Sequence, residues 1–227
     1  ACPGSTITFA NTVVSPIVLT SGELLISKNL TIQGLGANVL TISGNNNSRV
    51  FKIGGGTNVM ISDLKVTAGV VIGVSVQGGG IFSDGTLTLT GCKVSENLLS
   101  SNEASTYKKG GGIYNTGTLT LISCTVSGNS LTGNSISGAT NWGSGISNEN
   151  GTVTLINTTV SGNSSSGSGS FNQGGGIYSN GGSRVTLINS TVSGNTLNGS
   201  VNRGGGIYND GATVTLTNCT VSNNSAN

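Results

Sequence analysis

The sequence predicts an all-β chain wound as a single right-handed parallel β-helix. Three observations carry this: a phrase that returns at a period of about thirty residues, strand-like alternation inside each phrase, and no stretch with helical periodicity. The phrase opens on a glycine triplet and closes on an asparagine. Gly78-Gly79-Gly80-Ile81-Phe82 leads through Thr86-Leu87-Thr88-Leu89 to Cys92-Lys93-Val94-Ser95-Glu96-Asn97. It restarts at Gly110, Gly143, Gly174 and Gly204, at intervals of 32, 33, 31 and 30 residues. Ankyrin, TPR and HEAT repeats are helical, and a propeller blade needs about 40–45 residues with aromatic signatures missing here. One repeat therefore reads as one coil of three strands, with a loop between each asparagine and the next glycine triplet.

Side chains alternate across a strand, so the leucines of each Thr-Leu-Thr-Leu run point inward and the threonines outward. Stacking places Leu89, Leu121, Leu155, Leu187 and Leu216 in one internal column. Val94, Val126, Val160, Val192 and Val221 form a second, and Ile81, Ile113, Ile146, Ile177 and Ile207 a third. No polar residue interrupts them. Residues 1–77 follow the same grammar with less glycine. Glu23–Ser27, Asn29–Ile32 and Val39–Asn45 make one coil, and Val50–Ile53, Asn58–Ile61 and Leu64–Thr67 the next. Upstream, Thr6–Phe9 and Pro16–Thr20 form part of a coil. The sum is roughly seven to eight coils in one domain, residues 1–77 less regular and 78–227 built of five repeats of the Gly-Gly-Gly-Ile type, one with Ser144 as its middle residue. At about 4.8 Å per coil the rod is about 35 Å long.

Composition agrees. Charged residues are 7% of the chain against roughly 25% in an average soluble domain, while glycine stands at 39 of 227. Asn45, Asn97, Asn129, Asn163, Asn195 and Asn224 recur at one place in the coil and predict an amide ladder at a corner, where asparagine also tolerates left-handed backbone. The net charge of +2 names no partner, because a nucleic-acid footprint needs clustered Lys and Arg. Lys108-Lys109 is the single basic pair and reads as a solvated loop. No apolar run is long enough to span a membrane as a helix. The start at Ala1-Cys2, without Met, suits either a cleaved secretion signal, and so an extracellular or cell-surface location, or a fragment boundary.

Gly-Gly-Gly-Ile followed by Val-Ser-Gly-Asn, as in Gly110–Ile113 and Val126–Asn129, resembles the repeats of polymorphic outer-membrane proteins and related bacterial surface β-helix proteins. Their FxxN motif has Val126 in place of Phe here. Leu19–Leu24 and Leu30–Gly34 are similar to the opening coils of large secreted bacterial proteins of this type. The resemblance covers nearly the whole chain and implies the fold and surface exposure. For activity it implies little, since the family consists mainly of adhesins and uncharacterised exoproteins. With no transport barrel or anchoring segment after Asn227, an autotransporter mode is not expected.

Pectate lyases and polygalacturonases are also parallel β-helices, and their chemistry needs carboxylates converging on one face. The acidic residues here are Glu23, Asp63, Asp84, Glu96, Glu103, Glu149 and Asp210. They fall on different coils and mostly in corners, Asp84 and Asp210 sharing a column about 19 Å apart. The chain has no His, so His-based catalysis and His-ligated metals are excluded, and no Ser or Thr has an evident base beside it. No enzyme, cofactor or metal site is expected.

Cys92, Cys124 and Cys219 share an inward column with Thr158 and Ser190, and buried free thiols are favoured there over a Cys92–Cys124 disulfide. Cys2 and Cys219 fall at opposite ends. The chain reaches Ser225-Ala226-Asn227 just after a set of three strands and opens almost at once on Thr6–Phe9, so two uncapped ends are expected. Head-to-tail stacking of copies into a filament follows, with Cys2, Ile7, Phe9, Leu216, Cys219 and Val221 at the contact and a Cys219–Cys2 bridge between subunits. The alternative is a stalk or adhesin segment of a larger surface protein. Its glycan face would be an exposed column of Phe82, Tyr114, Tyr178 and Tyr208, broken at Ser147 and flanked by loops that carry Trp142, cover by those loops being the competing reading. Two lower alternatives are a polysaccharide-active enzyme and an ice-binding protein. The latter rests on the Thr86-x-Thr88, Thr118-x-Thr120, Thr152-x-Thr154 and Thr213-x-Thr215 ranks, interrupted by Arg184.

Overall fold

The computed structural model describes residues 2–101, 103, 106–133 and 138–227, without the side chains of 168–170. Among the described residues every regular element is a strand and every ladder between named strands is parallel. The chain is a parallel β-solenoid. Each turn passes in order through three sheets, which we number I to III. Sheet I runs from Leu24–Ile26 through Ile81–Ser83 to Ile207–Asp210, sheet II from Ser5–Thr8 through Thr86–Thr90 to Thr213–Thr217, and sheet III from Ile17–Val18 through Lys93–Ser95 to Thr220–Ser222. The seven strands of sheet I among the described residues bound six complete turns. That is fewer than the roughly seven to eight coils expected, because the first strands of sheets II and III belong to an incomplete turn.

The register makes the predicted columns real. Leu89, Leu121, Leu155, Leu187 and Leu216 are consecutive partners, as are Val94 to Val221 and Ile81 to Ile207. The leucine column continues upstream through Ile61 and Ile32 to Ile7. Twenty-nine buried side chains, from these columns and the inward positions beside them, form one core threaded along the solenoid.

Left-handed backbone recurs at three places in the turn, one of them the first glycine of each repeat, Gly78, Gly110, Gly143, Gly174 and Gly204. Between sheets II and III it falls on Asp63, Gly91, Ser123, Asn157, Asn189 and Asn218, and after sheet III on Glu96, Gly128, Gly162, Gly194 and Asn223. The second set stands immediately before the predicted ladder asparagines. Asn97, Asn129, Asn163, Asn195 and Asn224 are therefore not the left-handed residues, contrary to expectation; of the six, Asn45 alone is left-handed.

The segments expected to be loops are strands. From Val70 onward each turn extends out and back as a fin, sheet IV, in the pattern of Leu98–Ser100 out and Tyr107–Lys109 back. Ser164–Gln173 is one ten-residue strand that pairs with both the outgoing Ser130–Thr132 and the returning Thr140–Trp142. The fin has its own small core of Val76, Leu99 and Leu131, with Val71 packed against it. The expected coil of three strands is thus a coil of three strands plus a fin. Its signal was a constant offset. Leu99, Leu131, Ser165 and Leu197 stand two residues after Asn97, Asn129, Asn163 and Asn195, and Val76, Lys108, Asn141, Asn172 and Asn202 two residues before a turn's first glycine. Loop-like composition hid that period.

Candidate functional site

The fin folds back over the outer face of sheet I, and between them lie the aromatic rings. Tyr114 and Tyr178 are buried, at 5% and 2% exposure, and Phe82 and Tyr208 are half-buried. The expected exposed ligand face of Phe82, Tyr114, Tyr178 and Tyr208 is therefore corrected, and cover by the neighbouring segments holds. Phe82 and Tyr114 lie 5.3 Å apart, centroid to centroid, and Tyr178 and Tyr208 stack at 6.1 Å. At Ser147, where the column lacks a ring, Trp142 of the fin supplies one, stacked on Tyr178 at 5.0 Å and 6°. Tyr178, stacked by Trp142 and by Tyr208, has no face left for a sugar.

Charges close this seam. Arg49 stands over Phe82 at 5.4 Å, donates from Nε to the carbonyl of Gly78 at 2.8 Å and pairs with Glu23. Lys109 Nζ sits 4.3 Å from the Trp142 ring centre and donates to Glu149 Oε2 at 2.9 Å. The Tyr114 hydroxyl donates to the same oxygen at 3.1 Å, while Glu149 Oε1 is buried without a partner. Burial, followed by the nearby Glu149 carboxylate, pushes the Tyr114 phenol well above its ordinary value; burial and Asp210 do the same to Tyr178. Lys108 and Lys109 are not a solvated pair: Lys108 is 1% exposed inside the fin and Lys109 is held by Glu149. The register also adds Glu149 to the column of Asp84 and Asp210, one step beyond the partners Ser83, Asn115, Asn148, Ser179 and Asn209. Neighbouring acids in this column are two turns apart, about 10 Å along the axis. Among the described residues no group of three His, Cys, Asp or Glu side chains comes together to hold a metal.

Five of the six predicted ladder asparagines form an unbroken ladder. Asn97 Nδ2 donates to Asn129 Oδ1 at 2.9 Å, Asn129 to Asn163 at 2.9 Å, Asn163 to Asn195 at 2.9 Å, and Asn195 to Asn224 at 2.8 Å. Each backbone N–H donates to the same acceptor, as from Asn129 to Asn163 at 3.0 Å. Asn45 is exposed and outside the ladder, because Gly69 occupies the rung between and only its N–H reaches Asn97. Asn163 is fully buried, so its Asn-x-Ser sequon is closed to modification in the folded chain.

All four cysteines are free thiols: Cys92 and Cys124 buried, Cys219 half-buried and Cys2 exposed. The facing Cys124 thiol and burial push the Cys92 thiol up. The residues expected at a subunit contact lie at the two ends. Ile7 (38%), Leu216 (43%) and Val221 (50%) are exposed and Phe9 is half-buried, whereas Leu187 and Val192, one turn inside Leu216 and Val221, are fully buried. The threonine ranks share the outer face of sheet II in register, Arg184 standing between Thr152 and Thr213. Compared with known proteins, the chain matches no family model, no curated protein and no solved structure.

Proposed function

We propose that this chain is a non-catalytic structural element of an extracellular β-rod, and that its end turns stack on copies of itself to lengthen the rod. The observation that carries the reading is the contrast at the last turn. Leu216 and Val221 continue columns whose preceding members, Leu187 and Val192, are fully buried, yet are themselves 43% and 50% exposed on the edge strands of sheets II and III. A further turn laid on them would continue three sheets, two aliphatic columns and the asparagine ladder at once. Asn224, the last rung, donates to the Val192 carbonyl at 2.9 Å and is placed to meet another acceptor above it. Partners in this reading are other copies, with surface glycans as the alternative for a stalk or adhesin segment.

Electron microscopy of the 227-residue chain at micromolar concentration, without reducing agent, tests the reading. Unbranched filaments with an axial repeat of about 35 Å, the rod length, are expected. Dispersed short rods at every concentration overturn self-stacking and leave the chain a spacer within a larger surface protein. Loss of the filaments on adding reductant would place a Cys2–Cys219 bridge between subunits.

A further inference from the structure

Inside the fin, away from the end turns, a second amide ladder starts on a lysine. Asn141 Nδ2 donates to Asn172 Oδ1 at 2.7 Å, and Asn172 Nδ2 to Asn202 Oδ1 at 2.8 Å. In this direction Asn141 Oδ1 faces the preceding turn, whose residue in register is Lys108. That oxygen has no hydrogen-bond partner, although Asn141 is 1% exposed. Lys108 is equally buried. Its Nζ donates to Thr106 Oγ1 at 3.1 Å and, among the described residues, to no other group, the ion pairs there joining Glu23, Glu96 and Glu149 to other cations. Room for the amine comes from Gly133, where a Cβ would stand 3.0 Å from Nζ.

From this geometry we infer that Lys108 and Asn141 become joined by an amide bond, a covalent cross-link between neighbouring turns of the fin. A buried ammonium without a counter-ion is costly, and burial pushes the Lys108 amine down from its ordinary value, toward the neutral, nucleophilic form. The Nζ lone pair attacks Asn141 Cγ and forms the C–N bond. One Nζ proton passes through the Thr106 hydroxyl to Nδ2, the Cγ–Nδ2 bond breaks, and ammonia leaves. Nothing is oxidised or reduced. The fixed register supplies the effective concentration, since the two residues are held as strand partners in a site closed to water.

Intact mass and peptide mapping of the purified folded chain test the inference. The expected mass is lighter than the sequence by one ammonia, and digestion yields a branched peptide joining Lys108 to Asn141. Lys108→Met and Asn141→Ala each restore the mass their own sequence requires, and Thr106→Val slows the loss of ammonia in newly synthesised chain followed by mass over time. A wild-type mass equal to the sequence, with Lys108 and Asn141 in separate unmodified peptides, overturns the proposal whatever the variants do. So does an ammonia loss that maps elsewhere.

Discussion

The glycine triplet and the closing asparagine of each repeat are two halves of one device. A Cβ on Gly112 would stand 2.8 Å from Asn129 Nδ2, and the same clash recurs between Gly80 and Asn97, Gly176 and Asn195, and Gly206 and Asn224. The third glycine is there because the amide is there. Asn129 meanwhile accepts from the Asn97 N–H and Nδ2 and donates to the Val94 carbonyl at 3.0 Å, all within the core. Asn129→Ala removes the acceptor of the buried Asn97 N–H and of one Asn97 Nδ2 hydrogen, and the amide donor to the Val94 carbonyl and Asn163 Oδ1, and we expect a loss of about 3 kcal/mol in denaturant unfolding, with unchanged slope. Gly112→Ala, by overpacking, should cost about 2 kcal/mol. The double variant tests the link between them. With the amide gone, the added methyl still meets the Gly145 carbonyl, also at 2.8 Å. The double variant should therefore be less destabilised than the sum of the singles, though still worse than Asn129→Ala. Strict additivity would separate the two residues.

At the scale of the element, the fin and sheet I are held by the ring column and the Lys109–Glu149–Tyr114 cluster. Lys109→Met leaves a buried carboxylate without its cation and should cost about 3 kcal/mol; adding Glu149→Gln, which keeps an acceptor for Tyr114, should recover most of it. The single tryptophan reports on the site. With the ammonium removed from its face, Trp142 emission should change in intensity while the ring stays stacked on Tyr178. The phenols give a pH dependence. Tyr114 and Tyr178 have folded-state values raised above the unfolded value of about 10, so their contribution is intact below that pH and is lost as pH rises beyond it. Absorbance titration should show these two tyrosines ionising only as the fold melts in alkali; smooth titration of all four in the folded chain would contradict their burial. How legible this was in the sequence follows from period. Sheets I to III repeat Ile, Leu and Val at fixed places, so their columns and register could be read directly. The fin repeats only every other residue of short runs, and in its returning column Val76, Lys108 and Asn141 share a position without sharing a chemistry. Trp142 fills the space left by Ser147 from a different sheet, a relation between neighbouring strands that no spacing encodes.

At the scale of the whole molecule, the solenoid has no centre, and each turn is buried only by the turns on either side. Identical chemistry therefore has opposite consequences along a column. Leu187 and Leu216 are strand partners in the same leucine column, the first fully buried and the second 43% exposed. Leu187→Lys places an unpaired charge in the core and should unfold the chain or cost more than 4 kcal/mol. Leu216→Lys leaves its ammonium within reach of water and should cost the isolated rod about 1 kcal/mol or less, because the long side chain can lie along the open turn. If copies stack end on, the same change puts a charge between two turns, and the assembled state loses what the single rod keeps. Sedimentation of the wild type and of Leu216→Lys across a range of concentrations separates the effects: the wild type should lengthen with concentration and the variant stay a single rod with near-unchanged unfolding. Assembly that survives the lysine would place the contact on another face, for which the threonine ranks of sheet II and the open strand edge of the fin at Val70–Ile72 are the next surfaces to charge.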